Sequence, residues 1–162
     1  MIVVAIRIVL LGAFVVLLAC GIGLFVMSGV AQSHDVVRIP VPNSTFVGGA
    51  APTSHYADAY IAPMRYSSFT NIERVAQQAF HRGEKEVFRD EREVAYEGKT
   101  LGLTYVVSYI LAKETSPPTL TVATTVNLAS KRKGRFYWML VKPVHRHLMP
   151  YLLDRMVIMA PD

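Results

Sequence analysis

The residues in this chain that could do chemistry are few and scattered. His145 and His147 stand two apart, Asp58 sits between Tyr56 and Tyr60, and Asp90, Glu91 and Glu93 fall in a run of mixed charge. The spacing of the histidines points away from a metal. On a helix, positions i and i+2 diverge by roughly 200°, so the two rings cannot grip one ion. His34, His55 and His81 lie in unrelated segments, and the acidic run reads as a solvated edge. The single cysteine, Cys20, lies in an apolar stretch, leaving the rest of the chain without a disulfide, a thiolate site or a thiol nucleophile. No serine has Gly-x-Ser-x-Gly or Ser-x-x-Lys surroundings, and no glycine loop is built to cradle phosphate. No cofactor is expected.

What remains is an aromatic set. Tyr105, Tyr109, Tyr137 and Trp138, with His145, suit the wall of a cavity for an apolar molecule. Tyr137 and Trp138 also have two ordinary explanations, a packed core and a membrane interface. Acid–base chemistry would have to use Asp58, Tyr105, Tyr109 and His145. The sequence leans away from an enzyme, and His145 alone reads as a polar cap bonding a carbonyl freed at a helix kink.

The elements that position these residues follow from hydrophobic spacing. Tyr56 to Ile61 reads as a strand stopped by Pro63. Thr70-x-x-Glu73 has capping-box spacing, and Ile72, Val75, Ala76, Ala79 and Phe80 then share one helix face that Gly83 ends. Residues 84–93 are ambiguous between loop, helical turn and strand. Glu97-Gly98-Lys99 reads as a hairpin turn, followed by a strand with Leu101, Leu103, Tyr105, Val107, Tyr109 and Leu111 on one face. Leu120, Val122, Thr124, Val126 and Leu128 alternate along a further strand. A basic turn, Lys131-Arg132-Lys133-Gly134, leads into a helix from Arg135 to about Ile158. Pro143 is expected to kink or restart it. The prediction is an α+β fold: a small antiparallel sheet packed with helices.

The chain begins with a different kind of segment. Ile8 to Gly29 carries no charge, and as a helix it is roughly 33 Å long, enough for a hydrocarbon core of about 30 Å. Residues 1–30 are expected to be a transmembrane anchor. Two alternatives are a signal peptide cleaved near Gly29-Val30-Ala31 and a lipoprotein signal at Leu17-Leu18-Ala19-Cys20. Arg7 before the helix, with no cation after it until Arg38, favours a cytoplasmic N-terminus and an extracytoplasmic domain at the plasma (inner) membrane. Residues 31–54, with Pro40, Pro42, Pro52 and Gly48-Gly49, read as a flexible linker. Residues 55–162 form the domain. The net charge of +5 comes without a nucleic-acid recognition motif and fits contact with lipid head groups or solvent.

Gly134-Arg-Phe-Tyr137-Trp138 followed by Pro143-x-His145 resembles the closing segment of an uncharacterised bacterial family. Its members end in Gly-Arg-Leu-Tyr-Trp, four residues, then Pro-Phe-His. Tyr56-Ala-Asp58-Ala-Tyr60 is similar to that family's opening strand. This chain has Val144 where Phe is usual. The resemblance implies a START/polyketide-cyclase-like (helix-grip) fold, in which a long C-terminal helix closes a curved sheet over an apolar cavity. The expected partners are membrane lipid, an apolar small molecule bound by Tyr105, Tyr109, Tyr137, Trp138 and His145, and an envelope protein. The alternative is an accessory envelope protein that offers a docking surface without ligand or catalysis.

Overall fold

The computed structural model describes residues 35–64, 71–78, 83–100, 102–128 and 131–158. The chain divides into two units, Met1–Gln32 and Ser33–Asp162. The predicted anchor falls in the first, outside the described residues. Among the described residues no helix is long and apolar enough to cross a membrane.

The second unit is α+β. Strands β1 (Val37–Ile39), β2 (Tyr56–Pro63), β3 (Lys85–Arg89), β4 (Glu93–Thr100), β5 (Leu103–Ala112) and β6 (Thr119–Leu128) form one antiparallel sheet in the order β1-β2-β6-β5-β4-β3. The short helices α1 (Phe46–Ala50) and α2 (Ile72–Gln78) precede β2 and β3, and the long α3 (Lys131–Ile158) closes the described chain. Because β2 pairs with β6, the strand that opens the predicted domain lies beside the one that ends the sheet.

Side chains alternate across the sheet, and both faces are covered. On one face Tyr60, Tyr109, Leu111, Leu120 and Val122 pack under Ile72 and Val75 of α2 and under Met149, Leu153, Met156 and Val157 of α3. On the other, Val47 of α1 packs against Ala59 and Ala123, with Val106 and Ile110 at the edge. Double coverage explains why Thr121 and Thr125 are buried beside their apolar neighbours.

Several elements correct or resolve the sequence expectation. Part of the predicted linker is built into the sheet: β1 pairs with β2, and α1 is held by Thr45, whose Oγ1 accepts from Gly48 N at 2.9 Å. Buried Glu93 accepts from Phe46 N through both carboxylate oxygens, at 2.9 and 3.1 Å, as suits a carboxylate at a helix start. Residues 85–89, open in the sequence between loop, helical turn and strand, are a strand, with a register shift between Glu86 and Phe88. Glu97-Gly98-Lys99 is strand rather than turn, and the reversal lies at Gly102, whose φ of 83° favours glycine. The α2 cap is Asn71, whose Oδ1 accepts from Arg74 N, while Thr70, Ala79 and Phe80 lie outside the described residues.

A further difference is α3, which does not restart at Pro143. It runs 28 residues through Pro143 and Pro150. A proline inside a helix costs about 3 kcal/mol against alanine. Met149, Leu153, Met156 and Val157, all buried beyond the first proline, each contribute about 2 kcal/mol, enough to hold the helix on the sheet.

Candidate functional site

Strand register sets out the site in rows. On the face under α3, Tyr56 pairs with Val126, Val126 with Tyr105 and Tyr105 with Gly98. The next row is Asp58, Thr124, Val107 and Tyr96, and the third is Tyr60, Val122, Tyr109 and Val94. The second half of α3 seals the third row into the core. Its first half stands over the first two rows and leaves a cavity of about 310 Å³. Val107, Thr124, Val126 and Leu103 supply the sheet wall. Tyr137, Trp138, Val141, His145 and Leu148 supply the helix wall, with spacings of three and four residues that keep one helix stripe facing the sheet. Tyr105 enters from the sheet because Gly98 opposite has no side chain; a Cβ there would collide with the Tyr105 ring.

The cavity lining carries Glu84 on one side and, on the other, His145 backed by Asp58. On the His145 side Asp58, 2% exposed, accepts from Tyr56 Oη at 2.6 Å and stands 3.3 Å from His145 Nε2. Tyr60, two residues on along the same face of β2, also favours its charged form. Burial pushes the Asp58 carboxyl up, but hydrogen bonds from His145 and Tyr56 and the charge on His145 outweigh burial and hold it below the usual range. The Trp138 ring meets Tyr56 edge-on at 4.9 Å and tilts against His145 at 5.8 Å. Lys142 Nζ stands 5.2 Å from the Tyr56 ring centre. Arg146, exposed on the same helix, is held above its usual range chiefly by the Tyr56 hydroxyl. His145 is therefore fixed by a carboxylate from β2 and does not cap a helix carbonyl.

On the Glu84 side the Tyr105 hydroxyl donates to Glu84 Oε1 at 2.6 Å. Burial, then the hydrogen bond to Glu84 and its charge, push the Tyr105 phenol up to about 12. Glu84 Oε2 is buried and has no hydrogen-bond partner.

Of the five residues expected to bind a ligand, Tyr105, Tyr137, Trp138 and His145 line this one cavity. Tyr109 does not. It lies four residues beyond Tyr105 on β5, about 13 Å along a strand, and is 4% exposed in the core beside Tyr96. The groups considered for acid–base chemistry are divided likewise: Asp58 meets His145, Tyr105 stands on the cavity wall by Glu84, and Tyr109 is elsewhere. Among the described residues no three metal-ligating side chains converge. Sequence reading missed Glu84, because its segment carried no periodicity, and Val107, Val126, Val141 and Leu148, because aliphatic residues on a regular face give no sign of whether they border a core or a void.

No protein-family model, no curated protein and no solved structure matches this chain.

Proposed function

We propose that residues 33–162 are a binding module for a small apolar or amphipathic molecule. They would be START-like in arrangement and tethered to the plasma (inner) membrane by the N-terminal segment, with the N-terminus cytoplasmic. The observation that carries this is the cavity of about 310 Å³ under α3, walled mainly by aliphatic and aromatic side chains, with the Glu84 carboxylate and the Asp58-bound His145 in its lining. Its size lies at the lower end of small-molecule pockets, roughly 300–1,000 Å³, and favours a single chain or ring over a two-chain lipid. Solvent extraction and mass spectrometry of the purified chain should recover a bound molecule. Val107→Phe, which fills the cavity, should abolish its retention. A chain that carries no molecule, and whose thermal midpoint no apolar compound shifts, would remove this function. The topology is tested separately: reporter fusions after Ser54 should be active outside the cytoplasm.

A second function, docking to an envelope protein, draws support from Phe136 and Met139, each 64% exposed on the outer side of α3, with Leu140 beside them. Crosslinking in cells should then recover a partner that the Phe136→Ser/Met139→Ser variant loses. Failure to recover any partner would end that alternative.

A further inference from the structure

We propose that the ligand of this cavity is a protonated amine, its ammonium group seated on Glu84 and its apolar body running toward Trp138 and Leu148; this rests on the binding function proposed above. A carboxylate only accepts hydrogen bonds. Tyr105 satisfies Oε1 at 2.6 Å, while Oε2 is shielded from solvent with no donor. Three described cations are committed to other carboxylates: Arg89 to Glu86, Arg92 to Glu114, Lys99 to Glu97. Leaving a buried acceptor unmet is costly, more so when it is charged. The missing group must be a donor, and a positive one answers the charge as well as the lone pair.

The rest of the lining agrees. Tyr105, Tyr137 and Trp138 border the same space, and aromatic faces attract cations while offering nothing to anions. The cavity's one basic group, His145, is held by Asp58 at the opposite end. A carboxylate or phosphate head would meet Glu84 as a like charge. An alcohol would supply one hydrogen bond and leave the charge unanswered. Aliphatic Val107, Val126 and Leu148 suit an apolar body, with Thr124 the polar side chain among them on the sheet wall.

The test uses three probes with one chain length and different heads: octylamine, octanol and octanoate at pH 7. The full-length chain is held in a phosphatidylcholine nanodisc and titrated with each. Trp138, the only tryptophan, borders the cavity and reports occupancy by its fluorescence. Octylammonium should bind at least tenfold tighter than octanol, and octanoate weakest of the three. Glu84→Gln should erase the amine preference while octanol binding persists. Because that substitution shares the native chain's partitioning into the bilayer, the difference between them reports the site. If Glu84→Gln does not fold, the order of the three heads on the native chain carries the test alone. Equal binding of amine and alcohol, or a preference that survives Glu84→Gln, overturns the amine proposal and leaves apolar binding standing. Silence from all three probes overturns both.

Discussion

Asp58 Oδ1 and His145 Nε2 lie 3.3 Å apart across 87 residues of sequence, tying the middle of α3 to β2. The carboxylate is buried and also bonded by Tyr56, so removing it orphans the Tyr56 hydroxyl and the His145 ring together. Asp58→Ala should cost about 3 kcal/mol in urea unfolding of residues 33–162, as for a buried partner lost from a charged hydrogen-bonded group. In a double-mutant cycle with His145→Ala the coupling should be about 1–2 kcal/mol. Additive losses would show that the two groups do not sense each other in solution.

Gly98 and Tyr105 form a second such pair, adjacent across β4 and β5. Gly98→Ala drives a methyl into the Tyr105 ring and should cost about 1–3 kcal/mol through overpacking. Combining it with Tyr105→Ala, which vacates the space, should lose less than the sum of the two. A sum or more would mean that the ring does not lie over Gly98.

Alkaline pH should expose the tyrosines. Tyr105 is pushed up to about 12 by burial and by Glu84, and Tyr60 is raised further by burial and the charge of Asp58. Groups whose pKa rises on folding contribute stability that is complete below the unfolded value, about 10 for tyrosine, and is lost as pH climbs through the folded value. The domain should therefore weaken between pH 10 and about 12. Tyr105→Phe should cost about 1–2 kcal/mol at pH 8, and the gap to wild type should close above pH 12. A gap that is constant with pH would argue against the Glu84 bond.

Trp138 and Phe136 should respond in opposite ways. Trp138 packs on Tyr56 and His145, so Trp138→Ala should cost about 3 kcal/mol. Phe136 is 64% exposed, and Phe136→Ser should stay within about 0.5 kcal/mol. Equal small losses would place the indole in solvent.

Pro143 is exposed within a continuous helix. Pro143→Ala restores a backbone donor without opening a cavity and should raise stability by about 1–3 kcal/mol. A destabilised variant would mean that the proline sets a bend on which the Trp138 and His145 contacts depend.

Sequence alone determined the strands and helices whose pattern is local. β2, β5, β6 and α3 were legible because alternation and a 3.6-residue period are written into consecutive side chains. So was the aromatic and histidine set of the helix wall, since Tyr137, Trp138 and His145 share one segment. Tertiary structure decided the rest. Residues 31–54 look like a tether by composition, yet Val37–Ile39 gains a partner only when β2 is beside it and Val47 only when Ala59 and Ala123 are in place. Gly98 looks like a turn until Tyr105 is seen lying over it. Tyr105 and Tyr109 are equivalent by pattern, on one face of one strand, but α3 covers one row and leaves space above the other. Glu84 gives no local signal, and its importance comes from where Tyr105 ends. Periodicity fixes which way a side chain points; only the packing of distant segments fixes what it meets.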